Sequence, residues 1–295
     1  MSERLSCGLC GGGADPADAA AFATFRCNVR AFRHERFRVW RCPQCRCLHC
    51  RDVVDLAKYY APYPFKKAQL NWAVRAVYRN LLSRLRQARL DKRRPILDYG
   101  CGNGNFVRFL RERGFAAVSG YDPYGAPDGF GDPAALEQGP FDCIVLQDVI
   151  EHVEEPATLV RELDRHLAPG GHILIGTPNA ERIDLARPDD FMNEVHVPYH
   201  LHILTPAKLE ELGGLVGWRP VAFFDRAYHD YPLHGLNTRA GRAYQRLFDD
   251  TVDVLFDPPR IGRALTSPRY LFEAFFGYWL SRKADMSILF HKPRG

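Results

Sequence analysis

The sequence of 295 residues has no apolar run near the roughly 18 residues a membrane-spanning helix needs. Its opening stretch, MSERLSCGLCGG, lacks the apolar core of an export signal. A cytoplasmic protein without a membrane span is therefore expected. There is no internal repeat. Low complexity is confined to CGGGADPADAAA, which reads as a flexible loop. What is there is ordinary for a globular protein, with 46% hydrophobic and 25% charged residues. The length suits one large domain with a small appendage.

Cysteine is the exception. Nine are present, an odd number, and without an export signal paired cysteines point to metal before disulfides. Cys7 and Cys10 form one C-x2-C, and Cys42 and Cys45 form another. Two such pairs supply four thiolates for tetrahedral zinc, and Gly11 and Pro43 suit the knuckle turns. Four thiolates leave no open coordination position, so the zinc would be structural. Cys47 and Cys50 form a third pair with His49 inside it, and Cys27 lies in the intervening loop, so spacing alone leaves other ligand sets open. Cys101 and Cys143 read as core residues.

Charge is uneven. Residues 66–94 hold ten Lys/Arg against one acid, Asp91, in a chain whose net charge is +5. Leu70, Val74, Val77, Leu81 and Leu85 recur at helical steps and predict one amphipathic helix over 66–91. Its basic face reads as solvated, or as a recognition surface for a phosphate on a substrate or carrier.

From residue 95 strand and helix signals alternate. Strands are expected at Ile96–Asp98, Ala117–Asp122, Phe141–Leu146, His172–Gly176 and Pro220–Phe224. Helices are expected at Asn105–Arg113, Ala157–Leu167 and Thr205–Leu212. This predicts an α/β fold, a Rossmann-like, mostly parallel sheet with helices on both faces. A small N-terminal zinc ribbon precedes it and a late helical insert follows. The expected organisation is 1–60 ribbon, 61–94 basic helix, 95–225 cofactor-binding core, 226–283 aromatic insert (a lid or dimer contact) and 284–295 final strand.

The stretch RPILDYGCGNGNF carries the ligand signal. Parallel sheets bind ligands beyond the carboxyl ends of their strands, where glycine lets backbone approach closely. Gly100, Gly102 and Gly104 give G-x-G-x-G, not the G-x-G-x-x-G of dinucleotide sites. Asp98 precedes them, which disfavours a diphosphate and suits a ligand with a cationic or zwitterionic centre. Asp122 ends the next strand, where a carboxylate usually accepts from a ribose diol. S-adenosylmethionine fits that combination.

The ordered segments ILDYGCGNG, GYDP, FDCIVLQDVIEHVEEP, LAPGGHILIGTPN and HILTPAKLEELGGLVGWRP resemble class I S-adenosylmethionine-dependent methyltransferases over about residues 94–225. The resemblance implies that Asp98, Gly100, Gly102 and Gly104 cradle the methionine part and Asp122 the ribose. Gln147 would line the cofactor pocket. One departure stands out: only PYGAPDGFGDPAALEQGP separates Asp122 from the FD strand, so the helix and strand usual there are short or absent. Asp132 is the weak adenine-side candidate within it. The module CGLC…VWRCPQC, followed by DLAKYYAPY, resembles the zinc-binding segment of sugar and natural-product methyltransferases. That favours Cys7, Cys10, Cys42 and Cys45 as the ligands.

Methyl transfer from an activated sulfonium asks the protein to position an acceptor and remove its proton. Histidine suits that near neutral pH. DVIEH places His152 past the third strand and resembles the signature of ubiquinone-pathway O-methyltransferases. There Asp148, Glu151 and His152 are an alternative divalent-cation site. NEVHVPYHLHILT offers His196 and His200, with Tyr199 and His202 beside them. His200 is the first choice as base, then His152, then His196. The expected function is O-methylation of a small-molecule hydroxyl on a sugar or natural product, phosphate-bearing or carrier-linked. C-methylation of a nucleotide-linked keto-sugar and RNA methylation are the alternatives. Nucleic acid is disfavoured, since Thr177–Asn179 reads TPN where base N-methylation uses N-P-P-[YF]. A homodimer is an open expectation.

Overall fold

The computed structural model describes residues 5–15, 18–50, 52, 54–124 and 129–294. Residues 1–4, where the export-signal reading begins, and part of the PYGAPDGF stretch lie outside them. The chain forms two compact units, each built from three segments. One takes residues 1–67, 178–208 and 232–285; the other takes 68–177, 209–231 and 286–295.

The first unit opens with a small hairpin of β1 (Leu5–Ser6) and β2 (Gly13–Ala14). Then come β3 (Phe22–Arg26), β4 (Arg36–Arg41), β5 (Leu48–Cys50) and the short helix α1 (Leu56–Tyr60). The expected loop at residues 10–21 therefore carries β2 and a 3-10 turn at Ala19–Ala21.

The second unit begins with α2 (Trp72–Arg84), β6 (Ile96–Tyr99), α3 (Asn105–Glu112), β7 (Val118–Tyr121), β8 (Phe141–Gln147), α4 (Pro156–His166) and β9 (Leu167–Pro178). The helix expected over 66–91 is shorter. The Asn71 side chain accepts from the Val74 N–H at 3.0 Å and starts α2. A 3-10 turn at Leu85–Ala88 and a left-handed Arg89 end it. Leu81 and Leu85 are buried as the apolar stripe requires, but so is Arg84. Its Nη1 donates to Ser287 Oγ at 2.7 Å, and the guanidinium lies 5.3 Å from the centre of the Phe224 ring.

The chain continues through α5 (Met192–Val195), β10 (His202–Ile203), α6 (Pro206–Gly214) and β11 (Arg219–Phe224). Then α7 (Thr238–Arg246), α8 (Ile261–Leu265), α9 (Pro268–Phe276) and β12 (Asp285–His291) follow. In the first unit β10, β5, β4 and β3 form one sheet in that order. In the second the order is β11-β12-β9-β8-β6-β7. β6 runs parallel to both β7 and β8, β8 runs parallel to β9, and β11 and β12 are antiparallel. This is the expected mostly parallel sheet. Between β7 and β8 the described residues contain only a 3-10 segment, Pro133–Gln138, so the short linker adds no strand. The Asp132 side chain caps that segment by accepting from Ala134 N–H at 2.9 Å.

Leu97, Val107, Phe109, Ile144 and Ile175 are wholly buried in the second unit. The first unit has its own core around Phe25, Val39, Leu48, Tyr199 and Ile203.

Candidate functional site

The second unit presents its glycine loop where β6 ends. Gly100, Gly102 and Gly104 all take positive φ, +77°, +55° and +71°, a conformation that favours residues without a Cβ. The three differ in their surroundings. A Cβ on Gly100 would lie 2.2 Å from Val149, and one on Gly104 would lie 2.0 Å from Phe130. A Cβ on Gly102 would meet nothing within 4 Å. Gly100 and Gly104 are thus needed for packing, while Gly102 faces open space.

Two carboxylates flank the loop. Asp98, at the end of β6, is buried, and burial together with the Asp122 charge raises its pKa from 3.8 to about 7. Asp122 accepts from Gly102 N–H at 2.8 Å and, through its other oxygen, from Tyr124 N–H at 2.8 Å. The glycine loop and the ribose-type acid are therefore held in one network. Gln147 closes β8 beside Gly176, where a Cβ would lie 1.9 Å from its Oε1. The buried Nε2 of Gln147 has no hydrogen-bond partner. An unpaired buried donor is costly unless a ligand meets it.

The family model described as a methyltransferase domain matches residues 71–222. That is the stretch holding the glycine loop, both acids and Gln147. The chain belongs to the methyltransferase domain family.

Among curated relatives, a ubiquinone biosynthesis O-methyltransferase of Aeromonas salmonicida is 30% identical across 41% of this chain and 61% of its own. One from Caulobacter vibrioides is 30% identical across 49% of this chain and 66% of its own. The chain thus spans less than two thirds of the length of these relatives. A solved S-adenosylmethionine-dependent methyltransferase from Archaeoglobus fulgidus is 20% identical, with a TM-score of 0.41 over 73% of this chain and 94% of that one.

The methyltransferase pocket fits S-adenosylmethionine. A buried acid suits the cofactor's positive charge, Gly102 leaves room for close approach, and the Gln147 amide offers an unspent donor.

Beyond β8 the same unit holds polar groups that sequence reading did not bring together. Asp148 sits at φ +54° directly after the strand, and its N–H donates to Gly176 O at 3.0 Å. Tyr228 hydrogen-bonds the Asp148 carboxylate, and Asn80 Nδ2 holds the Tyr228 carbonyl at 2.7 Å. His229 packs edge-on to Tyr228, with ring centres 5.4 Å apart. Asp148 and His229 are solvent-accessible, yet protein surrounds them closely enough to raise the acid and lower the imidazole. His229 and Tyr228 lie in the aromatic insert expected to form a lid or a dimer contact. Nothing local signals their proximity to Asp148, which lies 80 residues earlier in the chain. Glu151 is buried and accepts from Thr177 Oγ1 at 3.0 Å, and His152 closes the 3-10 turn that contains both.

The other candidate histidines belong to the first unit. His196 is buried, left-handed at φ +39°, and stacks on Tyr199 at 4.7 Å. Its Nδ1 lies 2.6 Å from Asn28 Oδ1 and its Nε2 lies 3.1 Å from Tyr63 OH. Both nitrogens are engaged, which suits ordering the loop. His200 Nδ1 lies 2.8 Å from the Glu194 carbonyl. A carbonyl only accepts, so that nitrogen carries the hydrogen, and Nε2 is the proton-accepting position of the neutral ring.

The cysteine module is also in the first unit. The sulfurs of Cys7, Cys10, Cys42 and Cys45 all lie within 4.8 Å of one another. Neighbouring thiolates on tetrahedral zinc stand about 3.8 Å apart. Here Cys7–Cys45 and Cys10–Cys42 are each 3.6 Å. Each knuckle turns through a left-handed residue just past its second cysteine, Gly11 at φ +72° and Arg46 at +63°. The donor set fits a structural zinc. Cys47 faces Thr205 Oγ1 at 3.9 Å and Cys50 faces the Asp52 carbonyl at 3.9 Å, outside the four-sulfur group. Cys143 is core as expected, whereas Cys101 is only half-buried.

Proposed function

We propose that the protein transfers a methyl group from S-adenosylmethionine to a hydroxyl oxygen of a small-molecule acceptor of sugar or natural-product type. The observation that carries this reading is the Gly102–Asp122 hydrogen bond beside the buried Asp98, with open space at Gly102. The relatives named O-methyltransferases support oxygen as the receiving atom.

Asp98 and the glycine backbone would hold the methionine part, Asp122 the ribose hydroxyls and Gln147 Nε2 a cofactor acceptor atom. The bound cofactor supplies an already activated methyl. The chain's task is to orient the acceptor and take its proton. His200 is the proposed base, supported by the hydrogen held on its Nδ1, which makes Nε2 the basic nitrogen of the neutral ring. A second reading places the base at His229. It is favoured by the Tyr228-braced Asp148 beside it, in the same unit as the glycine loop. An anionic carboxylate can orient an imidazole and stabilise its protonated form.

The test is incubation with methyl-labelled S-adenosylmethionine and a panel of hydroxylated sugars and natural products, with product mass and linkage read out. Label on an acceptor oxygen is the expected result. Exclusive transfer to carbon, nitrogen or RNA would replace this reading.

A further inference from the structure

In the first unit, α9 is turned the wrong way round for a helix of a self-contained globule. Its apolar side chains Phe272, Phe275 and Phe276, continued by Trp279 in the next turn, follow i, i+3, i+4, i+7 spacing and form one face. That face is outward: the four are 50% to 65% exposed. The inward face is small and polar. Ala274 and Glu273 are buried, and a Cβ on Gly277 would lie 2.4 Å from Asn237 Oδ1. Close approach to α7 is held by Arg239, whose Nε and Nη2 each donate to Glu273 at 2.6 Å, and by Asn237 Nδ2 on the Glu273 carbonyl at 3.1 Å. Ile261 and Leu265 of α8 are 60% and 59% exposed. Single exposed apolar residues are ordinary, but a whole amphipathic face turned outward marks an interaction surface.

Charge indicates what covers it. Arg260, Arg263 and Arg269 are exposed on the same two helices and the chain around them, the first two with guanidiniums 4.9 and 5.2 Å from the centre of the Phe248 ring. The acids of the region are spent inside the unit: Glu273 on Arg239, and Asp257 on Arg30 at 2.6 Å. The face is therefore aromatic with a cationic margin and no free counter-charge of its own among the described residues. Two copies joined through a twofold on this face would bring like charges together. An anionic lipid surface meets both features at once, aromatic rings entering the headgroup boundary and arginines meeting lipid phosphates. No helix among the described residues is long and apolar enough to cross a membrane, so the contact would lie in the interface plane.

We propose that the outer face of α8 and α9 docks on anionic membrane surfaces. The full chain is mixed with vesicles of phosphatidylcholine, with or without phosphatidylglycerol, and bound protein is separated by flotation. Two double variants accompany it, Phe272→Ser/Phe276→Ser and Arg263→Glu/Arg269→Glu. All four positions are exposed, so thermal unfolding should stay at the parent temperature. The expected result is binding only to the anionic vesicles, weakened about tenfold or more in each variant and by added salt. Three results would overturn the proposal. One is no binding by the parent chain, and another is equal binding to both vesicle types. The third is a parent dimer in sedimentation that Phe272→Ser/Phe276→Ser dissociates without any vesicle binding, which would make the face a contact between copies.

Discussion

His49 Nε2 lies 3.2 Å from Cys7 Sγ, and His49 Nδ1 lies 3.0 Å from His202 Nδ1. A metal-bound thiolate accepts hydrogen bonds, so Nε2 of His49 would carry the hydrogen and His202 Nδ1 would donate to His49 in turn. Trp40, 4.7 Å from the His49 ring, packs the imidazole in place. With zinc on the four sulfurs, the residue inside the third C-x2-C would be not a ligand but a partner of one.

The metal prediction follows from that contact. One zinc per chain is expected by elemental analysis. Cys42→Ser should lose it and lower the unfolding temperature, because structural zinc contributes folding energy directly. His49→Ala should keep all four sulfurs yet release zinc to a chelator about 10- to 100-fold more readily, the usual effect of deleting an outer hydrogen bond. Protein purified without chelator and free of zinc would refute the site.

The glycines should separate into two kinds. Gly102→Val should abolish S-adenosylmethionine binding in calorimetry while the chain still folds, with an unfolding temperature lowered by the strain of a β-branched residue at φ +55° rather than by any clash. Gly104→Ala should instead destabilise the fold by about 1–3 kcal/mol, because Phe130 occupies the position of the new methyl. Parent-like cofactor affinity in Gly102→Val would remove the pocket assignment.

Asp98 makes cofactor binding and stability depend on pH in opposite senses. Its folded pKa is raised from 3.8 to about 7, so between those values the folded chain binds the proton more tightly than the unfolded chain. Its contribution to stability is therefore greatest below 3.8, falls as pH rises towards about 7, and is flat above. A cationic cofactor prefers the ionised acid, so affinity should rise as pH passes about 7. Asp98→Asn should weaken binding and flatten both profiles. Affinity that is independent of pH in the parent chain would show that Asp98 does not face the cofactor's charge.

His200→Ala should lower turnover about 100-fold or more with cofactor affinity nearly unchanged. His200→Asn retains hydrogen bonding but cannot accept a proton near neutral pH. Normal turnover in Asn but not Ala would mean positioning. Near-normal turnover in both, with a loss of about 100-fold in His229→Ala, would move the base to the Asp148 pair.

The parts legible in the sequence are those whose partners lie close along the chain. A strand with Asp98 near its end and a glycine loop leading into α3 form within a few residues, so their spacing shows them. Asp122 follows because β7 runs parallel beside β6. Each cysteine knuckle is likewise a local turn.

Tertiary structure decided what distant segments do to one another. It gathered Cys42 and Cys45, not Cys47 and Cys50, around Cys7 and Cys10, because the knuckle beyond β4 faces those two while Cys47 turns towards Thr205. It laid Phe130 on Gly104, buried Arg84 against Ser287 and Phe224, and brought His229 near Asp148. It also set which side of α9 is inside. The i, i+3, i+4 pattern of its phenylalanines specifies an amphipathic helix, but periodicity carries no sign. Here Ala274 and Gly277 allow a close approach to α7 that phenylalanines would block, so the small face packs inward and the aromatic face is left outside.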